Sequence, residues 1–538
     1  MKMHPFLFYL LLCLPLACGK SSPSPVEEKM RSRPVDARYL LMITSDFGSV
    51  RRCSTLSQLH NIARIMISSR ADIIALDASA NGLCNYRSAV GFFRTGSPFD
   101  ALFDQGIDPL QKITTSLQNE GITVLANIRM NDHHGALDQW TPWEREHVKW
   151  SLRRDTGSRD WKSVGALRQM DFAIEGVRDY RFSIIQEIVD RYAVDGIQLD
   201  FGRTAPFLSE PRQEKAHYLT DYVRRIRALL DQGGRSRLLS VIVPWDANFC
   251  LQQGLQVDRW IREGLIDLVC PGEWYYADWN IPLDQWVQWT KDTPCRVVPH
   301  TPGNVSPYQA FEFGEPSLLG ENHVLDSCKI RAIAQNFFAQ NVHGMMFYNF
   351  YEDQFGEDYP FLRDWLAPET RSASTMQFLY SRRLLYQPSE LDCFDIGAAF
   401  QRLPLRKSGD WVDLPFQLSG VPDSAALVLR LAVVNALDGD ELRVRLNDCD
   451  LGGLRSGHWQ VSCGIVKGRS TLIAQMPLEK ESLRNGKNIL MLQLAALNKN
   501  RTAPLAVGEF EIVVQPRSAG RASPDTAASP WSLPKPDA

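Results

Sequence analysis

Eight short apolar runs lie between Tyr39 and Leu366, and a segment with helical spacing follows each of them. The runs are Tyr39–Thr44, Ile73–Asp77, Thr123–Arg129, Gly196–Phe201, Leu238–Pro244, Leu268–Pro271, Arg296–Pro299 and Gly344–Phe350. The helical segments fall at Thr55–Ser69, Pro109–Glu120, Ile174–Tyr192, Arg212–Gln232, Val257–Glu263, Leu283–Thr290 and Asp326–Asn341, with a short last one at Tyr359–Leu366. A strand buried on both faces reads as an unbroken apolar run, and its parallel neighbour is reached only through a crossover long enough to hold a helix. Eight strand–helix units in succession therefore predict a (β/α)8 TIM barrel of the α/β class. The second and seventh runs have the least sharp boundaries.

After Pro368 the pattern changes. The runs become short and alternating, at Ala426–Val433, Glu441–Leu446, Trp459–Val466, Ser470–Met476, Asn488–Leu494 and Gly508–Val514, with Gly, Asn and Asp turns between them. This spacing predicts a smaller all-β sandwich. The expected organisation is a targeting segment over 1–18, a linker over 19–36, the barrel over 37–370, the sandwich over 385–516 and a disordered Ser/Pro/Ala-rich tail over 517–538.

A net charge of −3 on 538 residues leaves no electrostatic footprint for nucleic acid. Lys2, the apolar stretch Phe6–Leu16 and the pair Ala17-Cys18 resemble a bacterial lipoprotein signal with Cys18 as the lipidated residue, although Pro15 stands where such signals usually carry Leu. The expectation is an exported protein of the bacterial cell envelope, held at a membrane through Cys18. Ordinary secretion with cleavage nearby is the alternative. Beyond the signal the cysteines are Cys53, Cys84, Cys250, Cys270, Cys295, Cys328, Cys393, Cys449 and Cys463, an odd set without a CxxC pair. Cys53 with Cys84 and Cys449 with Cys463 are the first disulfides to expect, because each pair links nearby segments.

A barrel of this kind builds its site from the carboxyl ends of its strands. Those ends carry Ser45-Asp46, then Asp77, then Arg129 with Asn131, Asp132, His133 and His134, and then Asp200 with Arg203. Trp245-Asp246 with Asn248 follows, then Glu273-Trp274-Tyr275-Tyr276, then His300, and finally Tyr348, Asn349, Tyr351, Glu352 and Asp353. Asp200 is the central candidate, because the Asp195-Gly196 turn and the run Ile197-Gln198-Leu199 deliver it to the opening of the fourth strand. Its structural alternative is a helix cap or a pair with Arg203.

Carboxylates among aromatics suggest sugar chemistry. Glycoside hydrolysis needs one carboxylic acid for the leaving oxygen and a second carboxylate for attack or for activating water. Asp200, Asp246 and Glu273 come from consecutive strands and are the candidate catalytic groups, with Asp246 also readable as a capped turn. Flat aromatics stack on the C–H faces of sugars, and Trp140, Trp143, Trp150, Trp161, Trp245, Trp274 and Trp279 fall in or near the strand-end loops. Trp260, Trp286 and Trp289, at helical positions, read as core. Candidate hydroxyl-binding residues are Asp46, Arg129, Asn131, His133, Arg203, Trp245, Trp274, Tyr275, His300, Tyr348 and Asn349. The adjacent His133 and His134 also allow a metal site with Asp132 and Asp46 or Asp77, although substrate contact by one of the pair is the stronger reading. No cofactor is expected.

The segments RYAVDGIQLDF (191–201), GLQVDRWIREGLIDLVCPGEW (254–274) and NVHGMMFYNF (341–350) resemble the glycosyl hydrolase-like family 10 proteins. The resemblance implies a (β/α)8 barrel and places Asp200 at the acidic position of the fourth strand, with Glu273 just after the sixth-strand block. ELRVRLNDCDL (441–451) and LRNGKNILMLQL (483–494) resemble paired strands of accessory β-sandwiches in glycoside hydrolases, with Asp448 in place of the usual Gly. A buttressing sandwich is expected ahead of a sugar-binding one. The expected function is a glycoside hydrolase acting on a polysaccharide or oligosaccharide. A non-catalytic glycan-binding lipoprotein is the alternative, and a metal-dependent hydrolase or deacetylase a third reading.

Overall fold

Every residue of the first barrel strand, β1 (Leu40–Ser45), is buried. A strand buried on both faces must be paired on both edges and covered on both sides. It pairs in parallel with β2 (Ile73–Ala80) on one edge and with β8 (Gly344–Tyr348) on the other, which closes the sheet on itself. The computed structural model describes residues 39–132, 140–152, 169–203, 205–232, 237–273, 277–303, 305, 325–349, 361–380, 386–387, 401–402, 410–466, 469–500 and 505–516. The expected signal, linker and tail lie outside these residues.

Between β2 and β8 run β3 (Thr123–Arg129), β4 (Gly196–Asp200), β5 (Leu238–Pro244), β6 (Leu268–Gly272) and β7 (His300–Pro302), each parallel to its neighbours. The protein is thus a closed eight-stranded TIM barrel followed by an antiparallel β domain. The second and seventh strands depart most from the sequence expectation. β2 continues three residues past Asp77, because that carboxylate is accommodated inside the barrel rather than at its rim. The seventh splits into a two-residue piece, Arg296–Val297, and β7, with Pro299 between them. Proline offers no N–H to the ladder, and His300 lies inside β7, opposite Gly272 and Met346, rather than beyond its end.

Alternation along the strands sorts the barrel into two cores. Met42, Ile73, Ala75, Leu125, Ile242, Cys270, Val298 and Met346 fill the interior, while Leu41, Ile43, Ile74, Val124, Ile197, Val241 and Phe347 belong to the outer core with the helices. A polar belt crosses the interior: Thr44 Oγ1 donates to Gln198 Oε1 at 3.2 Å and Gln198 Nε2 donates to Ser240 Oγ at 3.1 Å. Helix starts are set by local chemistry. Thr55 and Gln58 form a capping box before Leu56–Ser68, and Asp108 caps Pro109–Asn119 with proline at the first turn.

The β domain packs a five-stranded sheet, in the order Met376–Tyr380, Ala506–Gln515, Ala426–Val434, Arg469–Leu478, Gln460–Val466, against a four-stranded one, Val412–Leu418, Gly486–Ala496, Glu441–Leu446, Cys449–Gly453. Three of these strands are not among the expected runs, the short Cys449–Gly453 being one of them. Val412–Leu418 carries Pro415, which an edge strand tolerates, and Met376–Tyr380 lies ahead of the alternating region. The domain is tied to the barrel through Asn336, whose Nδ2 donates to the carbonyls of Trp279 and Gln417 at 2.8 Å while its Oδ1 accepts from Ser419 N–H at 3.0 Å.

Neither expected disulfide forms. Cys84, Cys449 and Cys463 are free thiols, so neither pair is joined. Cys53 Sγ is directed to the Ser49 carbonyl and Cys84 Sγ to Ser79 and Gly82 within its own hairpin. Cys449 and Cys463 sit on strands of opposite sheets, so nearness in sequence does not bring them together. Cys393 lies outside the described residues.

Candidate functional site

The upper interior layer of the barrel is charged. Asp77, Arg129, Asp200, His300 and Tyr348 project from five strands and are buried, with Asp132 and Arg203 just past the ends of β3 and β4. Buried charges must be paired or they lose too much hydration, and here they pair with one another. Arg129 reaches Asp77 Oδ2 through Nε at 2.9 Å and Asp132 Oδ2 through Nη1 at 3.1 Å, and its Nη2 donates to Asn349 Oδ1 at 3.0 Å. Arg203 Nη1 meets the same Asp132 oxygen at 3.0 Å. Asn127 Nδ2 donates to Asp77 Oδ1 at 2.8 Å.

Asp200 is held differently. Its Oδ1 accepts from Gly202 N–H at 2.9 Å and its Oδ2 from the Tyr348 hydroxyl at 2.6 Å. Burial raises its pKa, opposed by Arg203 and by the Tyr348 hydrogen bond. Burial also lifts Asp77 to about 7 against the pull of Arg129. His300 is pushed down to about 4 by burial, so its ring is neutral, and its Nδ1 donates to the Cys270 carbonyl at 3.0 Å. A Cβ at Gly272 would stand 2.4 Å from the His300 carbonyl and 2.5 Å from its Nδ1, so only glycine lets this ring lie against β6.

Asp200, Arg129, Arg203, His300, Tyr348 and Asn349 are thus brought into one layer, and Glu273 follows directly on β6 with 8 % exposure. Asp46 lies half-buried after β1, its Oδ1 accepting from Gly48 N–H at 2.7 Å. Asn131 is drawn elsewhere. Its Nδ2 donates to the carbonyls of Met170 and Pro206, and its Oδ1 accepts from Met170 N–H, so the amide fastens main chain to main chain. Asp246 is an N-cap, its Oδ1 accepting from Asn248 and Phe249 N–H at 2.9 and 3.1 Å, which is the capped turn its sequence also allows.

Several aromatic candidates are packed rather than open. Trp143 stacks on Tyr180 at 3.9 Å and on His147 at 4.6 Å, Trp140 and Trp279 are buried, and Trp245 is half-buried with its carbonyl accepting from Trp286 Nε1 at 2.8 Å. His133, His134, Trp161, Trp274 and Tyr275 lie outside the described residues. From the sequence, Asp77 and Asp132 stand at strand ends as possible partners of His133 and His134 in a metal site, not as members of an ion cluster with Arg129. The available signal was the Arg129/Asp132 spacing of three residues at a strand end, beside a carboxylate on the neighbouring strand.

Asp77 gives the layer a measurable pH dependence. Its pKa is higher in the folded chain than the ordinary 3.8, so its contribution to stability is greatest below pH 4 and is lost as pH rises through about 7. Wild-type protein therefore loses stability relative to Asp77→Asn between pH 4 and 8, by on the order of 4 kcal/mol at most. Thermal melts of both proteins across that range check this, and a pH-independent difference contradicts it.

Among solved structures the chain is similar to alpha-L-fucosidase isoenzyme 2 from Paenibacillus thiaminolyticus, with 13 % identity, 63 % of this chain and 51 % of that chain covered, and a TM-score of 0.41. It is also similar to a GH18 chitinase from Pseudoalteromonas aurantia, with 13 % identity, coverages of 60 % and 97 % and a TM-score of 0.34. The spore cortex-lytic enzyme SleL of Bacillus megaterium QM B1551 shows 12 % identity, coverages of 62 % and 74 % and a TM-score of 0.35. The chain spans about half the length of the fucosidase. No curated protein matches it. Residues 57–219, which hold Asp77, Arg129, Asp132, Asp200 and Arg203, match the family model Glycosyl hydrolase-like 10, the family its motifs resemble.

Proposed function

We propose that the protein hydrolyses glycosidic bonds of a polysaccharide or oligosaccharide, with Asp200 and Glu273 as the carboxylate pair. The observation that carries this reading is Asp200 itself: a carboxyl at the carboxyl end of a barrel strand, with no arginine among the described residues on either oxygen, and with its proton affinity raised by burial. A carboxyl whose hold on its proton is strengthened by burial suits the general acid of glycoside hydrolysis. Neighbouring strands are about 4.8 Å apart, so the ends of β4 and β6 are about 10 Å apart along the wall. Side chains converging from them can reach the separations of about 5–9.5 Å that the two stereochemical routes require. Arg129 and Arg203 hold Asp132 and, with Asn349, tie β3, β4 and β8 around the reacting groups.

One observation favours the non-catalytic reading, in which the barrel captures glycan without cleaving it: Asp200 is 0 % exposed. The segments 133–139, 274–276, 306–324 and 350–360, which follow β3, β6, β7 and β8, lie outside the described residues. The two readings separate on a glycan panel. Wild type is expected to release product, and Asp200→Asn or Glu273→Gln to lower the rate by about a hundredfold or more while remaining folded. Glycan binding by all three proteins without product from any would replace the hydrolase by the binding protein.

We further propose that the chain is exported and held at a bacterial membrane by a lipid on Cys18, which suits an enzyme or receptor for external glycan. Cys18→Ala should move the exported protein from the membrane fraction to the soluble fraction and abolish incorporation of labelled fatty acid. Membrane retention of that variant would contradict the anchor.

A further inference from the structure

We infer that Tyr348 is a positioning residue that fixes the Asp200 carboxyl from across the barrel, rather than a contact for sugar; the inference rests on reading Asp200 as a reacting group. Tyr348 ends β8 and Asp200 ends β4, four strands around an eight-stranded barrel, so the hydroxyl spans the interior to reach Oδ2 at 2.6 Å. Gly202 N–H holds the other oxygen at 2.9 Å. Two donors on two oxygens fix both the position and the plane of the carboxyl. The close turn that presents Gly202 needs glycine, because a Cβ there would stand 2.8 Å from Ile242 and 3.2 Å from Asp200 Oδ1.

The tyrosine is itself held. Its side chain is fully buried, with the His300 ring 5.2 Å away and the Arg203 guanidinium 5.9 Å from its ring centre. A phenol has one hydrogen to donate, and here the acceptor is Asp200, so a sugar hydroxyl has no donor to gain from it. Donation to the ionised carboxylate favours that form. The charges facing Asp200 are Arg203 and Arg129, which also favour ionisation, and Asp132, which opposes it; Asp77 lies beyond Arg129, and His300 beside Tyr348 is neutral. Tyr348 therefore sets how firmly Asp200 keeps its proton as well as where it points.

The test is Tyr348→Phe in the full chain, with the Asp200 side-chain carboxyl followed by carbon NMR of aspartate-labelled protein and assigned with Asp200→Asn. Loss of the hydroxyl should raise the Asp200 titration by about one pH unit or more. Fluorination of Tyr348 makes the hydroxyl a stronger donor while keeping the ring, and should lower the titration; this decides the matter if the phenylalanine variant does not fold. Where wild type hydrolyses a glycan, Tyr348→Phe should lower kcat by about tenfold or more with KM within about twofold, and move the alkaline limb of kcat/KM, which reports the general acid, to higher pH. An Asp200 titration unchanged in both variants overturns the inference, as does a rise in KM at unchanged kcat and pH profile. If wild type cleaves nothing, the hydrolase reading fails, and the titration alone still decides the role of Tyr348.

Discussion

The buried ion cluster of Asp77, Arg129, Asp132 and Arg203 is the constraint on which the upper half of the barrel depends. Each of these groups loses its hydration on folding, and the ion pairs among them, with hydrogen bonds to Asn127 and Asn349, help to replace it. Removing one partner would leave a buried charge uncompensated, which typically costs about 3–5 kcal/mol. Because the members come from β2, the end of β3 and the end of β4, the pairing fixes three strand ends relative to one another. Asn349 extends the tie to the end of β8 through Arg129. The site frame is thus a consequence of electrostatic necessity as much as of strand pairing.

Asp200 stands at the edge of this cluster, and among the described residues no arginine forms an ion pair with it. Its neighbours Arg203 and Arg129 act through space, while its oxygens are held by a main-chain N–H and a phenol. That separation between paired and unpaired carboxyls divides their roles. Asp132 receives two guanidinium groups, whereas Asp200 keeps a raised proton affinity. An acid–base group needs such an environment, and a purely structural carboxylate does not.

The sequence made the barrel legible because parallel strands must be apolar on both faces. Strands such as β3 and β5 have the ends that their apolar runs predict. What it hid follows from the same rule. Asp77 looked like the end of a strand because a carboxylate interrupts an apolar run, yet Asn127 and Arg129 satisfy it inside the barrel and the strand continues. Asn131, Asp246 and Trp143 belong to residue types that serve sugar binding and backbone packing equally, and only their partners distinguish the two uses: main chain for Asn131, a helix start for Asp246, and stacked rings for Trp143. The cysteine pairs failed because separation along the chain says nothing about which sheet a strand joins.

The sandwich is joined to the barrel through main-chain groups. Asn336 satisfies three main-chain groups across the junction, and Gln417 N–H donates to Asn280 Oδ1 at 2.8 Å. Helix Ser327–Phe338 leads directly into β8 and Tyr348, so the junction supports the strand whose tyrosine holds Asp200. The central claim, that Asp200 is a reacting carboxyl rather than a buried brace, is tested most directly by a crystal structure of Asp200→Asn with a bound oligosaccharide. A reacting Asp200 places a glycosidic oxygen between residue 200 and Glu273. Sugar bound above the strand ends, with residue 200 still sealed beneath Tyr348 and out of contact, would contradict it.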